Sequence, residues 1–191
     1  MIKSAAAGLG FFILCGPAFA DEAALKAQAA DLVARYAQAL KTALGGAMEK
    51  DGPMGALDVC RSAAPKIAAD LSTSSGWSVA RTSLKPRNAA SAPDDYERKV
   101  MESFNARIAQ GEKAGDLVSA KIVEDHGGKV FRFIKAIPTG EVCLTCHGEN
   151  VSPELKQKIS QLYPNDQATG FRVGDMRGAF TLKKPLGTST P

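Results

Sequence analysis

The chain has 191 residues, of which 45% are hydrophobic and 23% charged, and its formal net charge is +4. That balance suits one globular domain rather than a disordered chain, and its mild positive charge gives no reason to expect nucleic acid. No apolar run of about 18 residues occurs, so no stable membrane insertion is expected.

Residues 1–20 read as a cleavable export signal. Lys3 supplies the positive end, Ala5 to Gly16 the apolar stretch, and Pro17-Ala18-Phe19-Ala20 a small-x-small cleavage site. A lipoprotein attached through Cys15 is disfavoured, because bulky Leu14 stands where a small residue is needed. The expected mature chain starts at Asp21, with a single domain over 21–185 and a polar tail over 186–191. An exported, periplasmic location follows from this reading.

Leu25, Leu32, Val33, Tyr36, Leu40 and Leu44 recur at helical spacing, so a helix is predicted over 22–44, with Gly45-Gly46 as its stop. A second helix over 54–71 places Leu57, Cys60, Ala64, Ile67 and Leu71 on one face, and Pro65 should kink or split it. A short strand over 77–82 and a basic loop over 83–93 follow. Asp94 with Glu97 is a helix-start signal ahead of Tyr96, Val100, Met101, Phe104 and Ile108. The period then changes to two: Val118, Ala120 and Ile122 alternate with polar residues. Asp125-His126-Gly127-Gly128 turns the chain into a β-branched and aromatic run, so 118–137 reads as a hairpin. A short helix over 153–163 and a last strand over 177–183 complete the pattern. Helices packed to one side of a small antiparallel sheet make an α+β domain.

Between the hairpin and the last helix stands Cys143-Leu144-Thr145-Cys146-His147-Gly148. C-x-x-C-H is the attachment run of a c-type haem. Two thiols one turn apart form thioethers to the vinyl groups, and the adjacent imidazole becomes the proximal iron ligand. An exported chain suits this, because such haem is attached outside the cytoplasm. A zinc site is disfavoured, since neighbouring Cys146 and His147 make awkward tetrahedral partners. A thioredoxin-like pair lacks its βαβ setting.

Cleavage would leave Cys60, Cys143 and Cys146, and attachment would consume two of them. The leftover Cys60 is open to three readings: an inert core residue, an intermolecular disulfide, or a second iron ligand. His126 and Met48, Met54, Met101 and Met176 are rival ligands, each with a surface or packing role as the plainer alternative. Arg81, Lys85, Arg87 and Asn88 are candidate donors to the haem propionates, or else a solvated basic loop. Trp77, Phe131 and Phe133 wall the haem or simply fill the core.

Five ordered motifs carry a resemblance: 57–65 around Cys60, Gly76-Trp77 with Arg81 to Asn88, the Cys143–Gly148 run, Tyr163 to Gly170, and Gly174 to Gly178. Together the chain resembles exported single-haem c-type proteins with a PAS-like fold, first catalogued as a domain of unknown function. The resemblance covers about residues 25–185. It implies Cys60 as the iron ligand opposite His147, one covalent haem c, and no catalytic role. It also implies a haem-based sensor of redox state or of a small diatomic gas, passing its signal to a partner protein, because no transmembrane helix, kinase or cyclase follows the domain. A soluble electron-transfer cytochrome is the alternative, and a peroxidase-like enzyme lacks an evident distal acid–base residue.

Overall fold

The computed structural model describes residues 17–125 and 127–186. Residues 1–16, His126 and the tail beyond Leu186 lie outside them, and with them most of the expected export signal and the roles that the sequence suggests for Cys15 and His126. No helix among the described residues is long and apolar enough to cross a membrane.

Helix α1 runs Pro17–Asp58 and is interrupted at Gly52, whose φ of 64° only glycine adopts freely. It continues through Gly45-Gly46, where the sequence predicted a stop. Two glycines cost a helix about 2 kcal/mol, and the apolar stripe of Leu25, Leu32, Val33 and Tyr36, buried against the sheet, outweighs that. A π-helical turn, Val59–Ala63, joins α1 to α2, Ala64–Ser75. The widened turn places Pro65 in the first turn of α2, where its missing N–H leaves no bond unmade. Tyr36 donates its hydroxyl to the Ala64 carbonyl at 3.0 Å, tying α1 to α2. Gly76, with φ 68°, ends α2 in the left-handed conformation.

The strands are β1 (Ser78–Thr82), β2 (Val118–Asp125), β3 (Gly128–Pro138) and β4 (Met176–Pro185). All neighbours are antiparallel, in the order β1-β4-β3-β2. Helix α3, Asp95–Ala109, opens with a full capping box: Asp94 accepts from the Glu97 N–H and the Glu97 side chain accepts from the Asp94 N–H. The sequence placed the helices on one side of the sheet; they cover both. Phe131, Phe133, Phe180 and Leu182 face α1 and α2. Ile134, Ala136 and Ala179 face Met101 and Phe104 of α3. The alternation of β3 is apolar on both faces, which is what a sheet covered on both sides requires. Trp77 and Phe131 meet edge to face at 5.9 Å inside the first cluster.

A third, smaller cluster positions the functional region. Leu57 of α1 packs with Val151 and with Leu155 and Ile159 of α5, Pro153–Leu162. Cys146 and Leu162 lean on it, so the end of α1 and the C-x-x-C-H segment are held to one another by apolar burial.

Candidate functional site

The sheet ends in a cavity lined by Leu40, Leu44, Met48, Ala56, Leu57 and Cys60 from α1 and its π turn, by Arg81 and Thr82 from β1 and Ser83 just after it, and by Ile137 from β3. Cys143, Cys146 and His147 close it from α4, Leu144–His147, and the turn before it, Tyr163 lines it from the end of α5, and Arg177 and Gly178 from β4. Residues 83 positions apart, Cys60 and Cys143, thus line one space. All three described cysteines are free thiols. Burial raises the Cys146 thiol, against the pull of the Arg87 charge.

His147 is held in one tautomer. Its Nδ1 lies 2.7 Å from the Ala168 carbonyl, and a carbonyl only accepts, so Nδ1 carries the proton. Nε2 is then left with its lone pair, the form a metal needs. Burial, with the Arg177 and Arg87 charges behind it, lowers the imidazole pKa to about 2 against the pull of the Ala168 bond, so the ring stays neutral. Phe171 stands nearly perpendicular to the same ring, with centroids 6.3 Å apart.

The loop between α5 and β4 returns to the end of α4 through Gly170 N–H to the Gly148 carbonyl and Phe171 N–H to the His147 carbonyl. Gly148 is required here, because a Cβ would stand 2.6 Å from the Leu144 carbonyl oxygen that its own N–H bonds.

Three arginines converge on the cavity, and they differ in how they are engaged. Arg81 stacks over Tyr36 at 5.7 Å and has no carboxylate partner among the described residues. Arg87 is buried and fully drawn into the protein: it pairs with Asp166 and donates to the Cys146 and Ala168 carbonyls. Arg177 passed unnoticed in the sequence as a donor. The register between β3 and β4 pairs Ile137 with Gly178 and Pro138 with Met176, leaving Arg177 as the extra residue of a bulge. Bulges re-aim side chains, and this one turns Arg177 to the cavity, where it donates to Ser83 Oγ at 3.1 Å and lies over Phe171. Its Nε is buried without a partner. Burial and the neighbouring Arg87 and Arg81 charges bring its pKa down to about 10.

The other sequence candidates are dispersed. Lys85 donates to the Thr169 carbonyl outside the cavity. Asn88 lines it but also caps the short turn at Ala90. Met101 and Met176 are packed in the cluster on the α3 face, and Met54 is 42% exposed; of the methionines named, Met48 alone lines the cavity. Trp77, Phe131 and Phe133 fill the core and do not line the cavity.

No curated protein matches the chain. Among solved structures, the crystal structure of the cyanobacterial heme-protein Tll0287 is similar at 21% identity and a TM-score of 0.62, covering 92% of this chain and 100% of that one. Its likeness is one of fold. The model of the Tll0287-like family matches residues 18–185, nearly the whole of the described chain, and the protein belongs to the Tll0287-like family.

Proposed function

We propose that this protein is an exported haem protein carrying one covalent haem c, attached through Cys143 and Cys146, with His147 and Cys60 as iron ligands. The observation that carries the reading is the meeting of these four residues at one cavity, with the His147 ring tied at Nδ1 and free at Nε2. The heme-protein relative of the same fold adds support. The donor set fits the group. Two free thiols stand in the C-x-x-C-H order, an apolar wall from α1 covers one side, and Arg81 and the part-satisfied Arg177 offer positive charge for two carboxylates. Arg87 is less suited to the propionate role the sequence suggested, because its Nε and Nη2 are taken by protein acceptors.

When bound, such a haem supplies a one-electron couple and, if a ligand leaves, a site for a diatomic gas. The residues of this chain do the rest. His147, held through the Ala168 carbonyl, would supply one ligand to the iron, and Leu40, Leu44 and Leu57 would give the group an apolar wall. Cys60 is the movable partner. It sits in a π turn, a geometry frequent at functional sites, eight residues beyond the Gly52 break. A thiolate binds the ferric state better than the ferrous, so Cys60 would loosen on reduction and report the redox state through the end of α1. This favours a sensor, non-enzymatic and with a PAS-like fold, whose partner protein reads that movement in the periplasm.

Electron transfer is the second reading, and Val142 favours it: this residue borders the cavity yet is 62% exposed, as a docking rim would be. The test is the visible spectrum of the dithionite-reduced protein with and without carbon monoxide. A prompt Soret shift is the outcome for a sensor with a displaceable Cys60; an unmoved band turns the assignment to an electron carrier.

A further inference from the structure

Arg87 is 7% exposed, although it is charged and close to the surface loop in which the sequence places it. Its guanidinium grips Asp166 with two nitrogens, Nε to Oδ1 at 3.1 Å and Nη2 to Oδ2 at 3.3 Å. The same Nη2 donates to the Cys146 carbonyl at 2.6 Å and the Ala168 carbonyl at 3.2 Å. Asp166 Oδ1 also accepts the Ala168 N–H at 2.9 Å. Ala168 is therefore held through both of its main-chain polar groups, its N–H by the carboxylate and its carbonyl by the guanidinium. That carbonyl is the acceptor of the His147 Nδ1 proton. Gln167 adds a main-chain bond to Pro86, so the loop carrying Arg87 and the loop carrying Ala168 are tied by backbone as well.

We infer that Arg87 is a positioning residue that acts on the His147 imidazole through the Ala168 carbonyl, with Asp166 orienting its guanidinium. The inference rests on the haem reading above. Two consequences follow from hydrogen-bond chemistry. First, the ring orientation is set by an acceptor that cannot drift, because a planar two-point grip fixes it. Second, an oxygen shared between a guanidinium and an imidazole is a weaker acceptor for each. Arg87 thus limits the negative character that His147 gains through Nδ1, and so limits what Nε2 donates to a metal. Without Arg87 the Ala168 carbonyl is left to the imidazole alone, and Nε2 becomes the stronger donor.

The test compares haem-loaded wild type, Arg87→Lys and Asp166→Asn by resonance Raman of the ferrous protein and by potentiometry. Arg87→Lys keeps the charge and loses the fork, so a mere charge effect would leave it like wild type. The expected result is an iron–histidine stretch shifted to higher frequency and a midpoint shifted to lower potential. Asp166→Asn leaves an acceptor for the Ala168 N–H but weakens the grip on Arg87, and is expected to shift the same stretch. If Arg87→Lys does not accumulate, Asp166→Asn carries the comparison. A third measurement needs no substitution: in protein with nitrogen-labelled histidine, the His147 Nδ1 proton is expected to exchange slowly with solvent, and rapid exchange overturns the clamp. A wild-type chain that carries no covalent haem overturns the reading beneath the inference. Haem-loaded variants with the wild-type stretch and midpoint overturn the role of Arg87 alone.

Discussion

Leu57→Ala tests whether the smallest apolar cluster is what holds Cys60 to the cavity. Leu57 is 1% exposed and packs on Val151, Leu155 and Ile159, three residues before Cys60 in the chain. Truncating a buried leucine costs about 2–5 kcal/mol, the sum of lost transfer energy and the void left behind. Here the void opens onto an existing cavity, which leaves little wall to collapse inward, and about 3 kcal/mol is expected. For a chain of this size that lowers Tm by roughly 6–12 °C. Leu25→Ala is the control: it is also buried, but in the cluster between α1 and the sheet. Both should lower Tm in circular dichroism melts. Only Leu57→Ala should expose Cys60, read as alkylation of that thiol in haem-loaded protein with Cys143 and Cys146 already bonded. A local opening made easier by about 1.4 kcal/mol speeds alkylation about tenfold. A Tm change below about 2 °C, or equal alkylation in the two variants, would refute the reasoning.

Further outcomes follow from single contacts. Burial alone would raise the Asp94 carboxyl, but the Glu97 N–H, Lys183 and Arg132 bonded to it outweigh burial and hold it at about 2. Its folded value lies below the unfolded one, so its contribution is complete above about pH 4 and is lost as pH falls toward 2. The full shift would be worth about 2 kcal/mol, and solvent screening of a side chain 38% exposed brings this to about 1 kcal/mol. Asp94→Asn, which still caps α3, should flatten the acid limb of a urea-stability profile in that range; an unchanged limb counts against it. Gly148→Ala forces the Leu144 carbonyl aside and should cost about 1–3 kcal/mol while lowering haem incorporation, measured by pyridine haemochrome against protein. Normal incorporation would mean that the turn tolerates a Cβ. Cys60→Ala should keep covalent haem and change the ferric visible spectrum; a thiolate-type spectrum that persists in this variant removes Cys60 from the iron.

Much of the architecture is legible in local patterns. The Asp94–Glu97 pair announces its capping box and the 118–137 alternation its hairpin. What escaped the sequence depends on tertiary packing. Gly45-Gly46 reads as a stop until the buried stripe upstream is weighed against it. Both faces of the sheet are covered because β3 is apolar at successive positions, a pattern the hairpin reading did not use. Ile122, counted into the alternating stripe, is 42% exposed on the edge strand. In the site, Cys143, Cys146 and His147 are readable as a contiguous motif, and Cys60 as the odd thiol. Arg177 was not, because its direction depends on a bulge that only strand register reveals. Arg87 was noticed for its charge, but its partners lie up to 81 positions away, and no local signal tells a clamp from a propionate donor.

Covalent haem attachment is the claim on which the rest depends, and intact mass spectrometry tests it most directly. The chain would be produced for export with a c-type haem maturation system and compared with its Cys143→Ser, Cys146→Ser form. The expected spectrum shows one haem added to the wild-type polypeptide and none to the double variant. A wild-type mass equal to the bare polypeptide, from cells that load a control cytochrome, would contradict it.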